Sequence, residues 1–152
     1  MPYGVVLVFV HGFRGRAEQT FGAYPERLRH LVRETHPGLR VEAVIYPTYE
    51  TRGSLSDAVD ALVAWLAALV AERESTHGHR FRVVLCGHSM GGMVCLDAAR
   101  AIRSQGRGAW PCVGGVVAYD TPFLGIHPHV FKHQLTTYQQ YVDSAVRAGS
   151  MW

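Results

Sequence analysis

Gly87-His88-Ser89-Met90-Gly91 sets a serine between two glycines at G-x-S-x-G spacing, a pattern that suits a hydroxyl nucleophile on a sharp turn. The apolar run Phe81 to Cys86 leads into it without a gap, and Met93 to Ala99 continues it as a helical pattern. A strand–turn–helix junction of this kind would expose the Ser89 hydroxyl, and side chains at 87 and 91 would collide where strand and helix crowd together. The helix beginning there would aim its N-terminal N–H groups at the reacting oxygen, with the Met90 N–H as one oxyanion donor. A plainer reading stays open, in which Ser89 is only the N-cap of the helix.

A second segment points the same way. His11-Gly12-Phe13 closes another apolar run, and the Phe13 N–H is the candidate for the second oxyanion donor, with Gly12 letting the loop pass close to a substrate. An ordinary strand-end turn is the alternative. For the acid, Asp120 follows the apolar run Val113 to Tyr119, although its carboxylate could instead cap its own turn before Thr121-Pro122. For the base, His127, His129 and His133 come next in the chain. His127, in a loop, is the residue carried forward, and each of the three also reads as a surface or packing histidine. His88 adjoins Ser89 and should point away from it, and His11 belongs to the oxyanion strand. A zinc reading of His127, His129 and His133 has plausible spacing but no accompanying cysteine or carboxylate pattern, so no metal is expected. Phe123 and Leu124 are the candidates for a substrate-binding acyl pocket. His77 and His79 flank a glycine in what reads as a solvated turn.

The elements that must position these residues alternate. Gly4 to Val10 is a continuous β-branched run, the pattern of a strand buried on both faces of a parallel sheet. A helix is expected over 17–35, a strand over 39–46, and a helix from Leu55 with Ser54 as its N-cap. The stripe Leu55, Val59, Leu62, Leu66 and Val70 recurs at helical spacing. A polar loop over 75–80 precedes the strand Phe81 to Cys86, the helix runs on to about Gln105, and a fourth strand spans Val113 to Tyr119. Asp120 to Pro128 reads as irregular and 130–148 as a polar helix. The order βαβαβαβα implies a mostly parallel sheet with helical crossovers, an α/β three-layer sandwich, in one domain over 1–152.

Composition excludes other classes. The 152 residues are 48% hydrophobic and 18% charged, a globular profile rather than a disordered or fibrous one. Net charge is +3, with Lys132 the only lysine, and the basic residues are scattered, which does not suit a nucleic-acid surface. The longest uncharged apolar run, Ala61 to Ala71, is too short for a membrane span, and Val5 to Val10 lacks the flanks of a signal peptide. Cys86, Cys95 and Cys112 lack C-x-x-C spacing and read as reduced thiols, so a cytoplasmic protein is expected. Neither G-x-G-x-x-G nor a P-loop is present, which sets aside a nucleotide-binding domain.

The segments Val8 to Phe13, Tyr46 to Gly53, Val84 to Gly92 and Asp120 to Gly125 resemble the α/β-hydrolase superfamily, and within it lipase-like serine esterases of fungal and other eukaryotic type. The resemblance implies the N-terminal portion of that fold, without its last strands. It implies a serine hydrolase cleaving a carboxylic ester through an acyl-enzyme on Ser89, with no cofactor and an ester or lipid-like substrate. The competing reading is a non-catalytic or truncated hydrolase-fold module, an interaction domain with a partner at the open sheet edge Val113 to Tyr119.

Overall fold

In the computed structural model the described residues are 3–12, 17–47 and 54–124. The chain divides into two compact units, Met1–Thr121 and Pro122–Trp152, and every strand and helix of the described residues belongs to the first. They are strand β1 (Gly4–Val10), helices α1 (Ala17–Phe21) and α2 (Tyr24–Thr35), strand β2 (Val41–Ile45), helix α3 (Leu55–His77), strand β3 (Phe81–His88), helix α4 (Met90–Arg103) and strand β4 (Cys112–Tyr119).

The strands form one parallel sheet in the order β2-β1-β3-β4. The chain leaves β1 in one direction to form β2, then crosses back to build β3 and β4 on the other side. Right-handed crossovers running in opposite directions put their helices on opposite faces. The core shows this. Val6, Val8 and Val10 of β1 pack with Val59, Leu62 and Leu66 of α3 and Val94, Ala98 and Ile102 of α4. Leu7 and Phe9, the alternate residues, pack with Phe21 and with Leu28 and Val32 of α2. The unbroken apolar run of β1 is thus a strand covered on both sides, in a three-layer α/β sandwich.

Helix boundaries differ from the sequence expectation in two places. The single helix expected over 17–35 is two, because Gly22 adopts a positive φ of 50° and Pro25 starts a new first turn. Helix α3 begins as expected, with the Asp57 N–H donating to Ser54 Oγ at 3.1 Å. It continues through the expected loop to His77 and stops at Gly78, whose φ of 67° is the left-handed C-cap conformation. Tertiary ties hold those extra turns. Arg73 pairs with Glu42 of β2 at 2.8 Å, while Glu74 accepts from the Phe81 N–H at 3.0 Å and from Trp110 Nε1 at 3.3 Å. His77 lies within 3.5 Å of Glu42 and His79 stacks on Phe81, so neither belongs to a solvated turn. Leu55 is exposed and Leu69 takes its place in the buried stripe. Among the described residues no helix is long and apolar enough to cross a membrane.

Candidate active site

In a parallel sheet whose strand order reverses, ligands sit at the carboxyl ends of the strands on either side of the reversal. Here those strands are β1 and β3. His11-Gly12 follows β1, Ser89 follows β3, and Asp120 follows β4. Val10 pairs with Gly87 and His88 with Tyr119, so Ser89 and Asp120 each stand one residue past a paired position on neighbouring strands.

Ser89 has φ 55° and ψ −127°, in the half of backbone space that a Cβ disfavours. It and Asp120, at φ 49°, are the described non-glycine residues with positive φ. The Ser89 N–H donates to the Tyr119 carbonyl at 2.8 Å, and the Ser89 carbonyl accepts from the Gly92 N–H at 3.0 Å. Its side chain makes no capping bond to α4. Ser89 therefore lacks both the dihedrals and the hydrogen bond of a helix N-cap. Met90 is the first residue of α4, and its N–H is one of the four at a helix start without an intrahelical acceptor.

Glycines allow this turn to close. A Cβ on Gly87 would lie 2.5 Å from the Gly91 carbonyl oxygen, and one on Gly91 would press on the carbonyl oxygens of Val10 and His11. A Cβ on Gly12 would meet Ser89 Cβ at 2.8 Å and Ser89 Oγ at 3.3 Å, so the loop after β1 lies directly against the serine. Gly92 was not singled out by sequence reasoning. A Cβ there would run into the Thr121 side chain, which brings the chain after β4 against the first turn of α4. The available signal was the glycine pair 91–92 at a helix start, where glycine costs about 1 kcal/mol relative to alanine.

His11 was placed on the oxyanion strand and given no further role. It is fully buried, and its Nδ1–H donates to the Gly12 carbonyl at 2.9 Å, fixing the backbone beside Ser89. Asp120 is exposed and makes no hydrogen bond to a described residue, so it does not cap its own turn. Phe123 and Leu124 are exposed and belong to the second unit. Phe13, His127, His129 and His133 lie outside the described residues. Among the described residues, no group of three or more histidine, cysteine, aspartate or glutamate side chains is placed to hold a metal ion.

A model of the alpha/beta hydrolase family matches residues 7–149. The chain belongs to this family. A similar protein is the virulence factor MDV010 of Gallid herpesvirus 2, 25% identical over 118 residues, which are 78% of this chain and 15% of that protein. Among solved structures, phospholipase PlaB from Legionella pneumophila superposes with a TM-score of 0.56 at 16% identity, covering 78% of this chain and 25% of PlaB. Its complex with thio-NAD gives 0.55 at 15% identity, covering 75% and 24%. The chain thus spans between about a seventh and a quarter of the length of these relatives, and the likeness to PlaB concerns the fold.

The hydrolase sheet also buries two thiols near this edge. Burial pushes the Cys86 thiol up to about 11, and a hydrogen bond with the Tyr119 hydroxyl offsets part of that rise. Burial likewise raises Cys95. A thiol whose folded-state pKa lies above its unfolded value of 9.0 favours folding while it is protonated in both states. The contribution from Cys86 is complete below pH 9 and is lost as the pH rises through about 11. Thermal midpoints measured from pH 7 to 11 are expected to fall above pH 9, and Cys86→Ala is expected to flatten that fall. Identical profiles for the two proteins would show that the thiol is not buried as placed.

Proposed function

We propose that the chain is a serine hydrolase that cleaves a carboxylic ester of lipid type through an acyl-enzyme on Ser89. One observation carries the reading: Ser89 sits in a strained positive-φ turn between glycines, at the reversal point of the sheet and against the Gly12 backbone. A structural serine has no need of that strain, whereas a nucleophile gains exposure from it.

In the proposed reaction Ser89 Oγ attacks the ester carbonyl carbon while His127 takes its proton and Asp120 orients the imidazole. The N–H groups of Met90 and Phe13 hold the developing oxyanion. Collapse breaks the bond to the alcohol, which leaves with the proton from His127, and the acyl group stays on Ser89. Water, deprotonated by the same histidine, then releases the acid and restores the serine. His127 is drawn from chain order, and His129 and His133 are its alternatives. The family supports a hydrolase, and the lipid character of the substrate is proposed from the likeness to phospholipase PlaB.

The test is labelling of the folded chain with a fluorophosphonate probe, which reacts with activated serines. Labelling is expected, and it is expected to vanish in Ser89→Ala and in the variant that removes the base. A second reading, an interaction module, is favoured by the edge of β4. Among the described residues this strand pairs only with β3, carries no charged side chain, and leaves Val117 exposed. A folded chain that takes no probe would decide for that reading.

A further inference from the structure

The strain at Ser89 has to be held by something. Its N–H is tied to the carbonyl of Tyr119, the last residue of β4, and among the described residues β4 is an edge strand, whose end is the kind of segment that opens first. The Tyr119 side chain counters this. Its hydroxyl shares a hydrogen bond of 3.1 Å with the hydroxyl of Tyr24 in the first turn of α2, and the two rings meet edge to face with centroids 5.7 Å apart.

The contacts continue across the sheet. Tyr24 stands edge to face with Phe9 of β1 at 6.1 Å, and Phe9 with Phe21 of α1 at 5.2 Å. Phe9 lies two residues before His11, and the loop beside Ser89 begins there. This row of rings therefore links the two strand ends that bear the halves of the site: His11-Gly12 after β1, and Ser89 with Asp120 after β3 and β4. Its one polar link is the Tyr24–Tyr119 hydroxyl pair, on the sheet face that α1 and α2 cover.

We propose that Tyr119, braced by Tyr24, is a positioning residue for the nucleophile, holding the Ser89 backbone through its own carbonyl. The inference rests on the serine-hydrolase reading above. It assigns the pair an effect on the chemical step and none on binding, because neither hydroxyl is assigned a contact with substrate.

Tyr24→Phe and Tyr119→Phe each delete the shared bond and keep the ring contacts. A neutral hydrogen bond contributes roughly 0.5–1.5 kcal/mol, which corresponds to about 2- to 13-fold. Each variant is expected to lower kinact for the fluorophosphonate probe about 3- to 10-fold with KI unchanged within about twofold. The double variant is expected to lose no more than Tyr119→Phe alone, since both changes remove one bond. Hydrogen exchange gives a readout independent of activity: the Ser89 amide is expected to exchange faster in both variants by a similar factor. A loss confined to KI, or a lower thermal midpoint with kinact and Ser89 exchange unchanged, would overturn the positioning role. Labelled wild type with unaltered variants overturns this inference alone. A folded wild type that takes no probe overturns the hydrolase reading and this inference with it.

Discussion

Ser89→Gly is expected to abolish ester hydrolysis and at the same time make the protein more stable. The two effects have one origin. At φ 55° and ψ −127° a residue with a Cβ stores on the order of 1–3 kcal/mol of backbone strain, which glycine does not feel. Glycine also costs about 0.5–1 kcal/mol in chain entropy, so a net gain of about 1 kcal/mol is expected. In a domain of this size that raises the thermal midpoint by about 3 °C. Ser89→Ala removes the same hydroxyl but keeps the Cβ, so its stability is expected to stay within about 0.5 kcal/mol of wild type. Both variants are expected to lose about 10⁴-fold or more in hydrolysis, as when a nucleophile with its base is removed. Denaturant unfolding of the three proteins, alongside turnover of a chromogenic ester, checks both halves. Equal stability of the glycine and alanine variants would mean the turn is not strained, and surviving hydrolysis would mean that Ser89 is not the nucleophile.

Gly91→Ala is expected to be among the most destabilising single changes in the chain. Its new Cβ would press on the Val10 carbonyl oxygen and lie 2.6 Å from that of His11. Both are backbone atoms of fully buried residues and cannot rotate away as a side-chain tip could. The start of α4 must then lift off β1. Overpacking of this kind costs typically about 1–3 kcal/mol, and with two rigid obstacles about 3 kcal/mol or more is expected, a fall of about 10 °C. Gly115→Ala is the control, since a Cβ there meets nothing within 4 Å, and a change within about 0.5 kcal/mol is expected. The lifted helix also carries the Met90 N–H away from Ser89, so probe labelling of the folded Gly91→Ala fraction is expected to fall. Similar unfolding midpoints for the two alanine variants would rule out the close approach of α4 to β1.

The glycine variants also mark where sequence reading reaches its limit. Glycines 87 and 91 could be assigned from the motif, because a strand that turns straight into a helix leaves no room on either side of the serine. Gly92 could not, because its constraint comes from Thr121, 29 residues later, on a segment that only the sheet brings back. His11 is similar. Its position after an apolar strand was legible, but its full burial was not, because burial depends on what the rest of the chain packs around that strand end. Helix α3 outran its expected end for the same reason, since Arg73 and Glu74 find partners on β2, on β3 and at Trp110.

Local physics was enough for what depends on neighbours in the chain. The unbroken apolar run of β1 already implied a strand covered on both faces, and the spacing Gly87-Ser89-Gly91 already implied a serine on a tight turn. The alternation of strands and helices implied a parallel sheet, since a parallel connection needs a crossover. The strand order β2-β1-β3-β4 was decided by packing alone, because only the direction of each crossover sets which strands become neighbours. That order brings Gly12 against Ser89, sets Asp120 one strand away, and puts Tyr24 over Tyr119. Residues far apart in sequence meet there because burying both faces of one sheet leaves its strand ends a single shared edge.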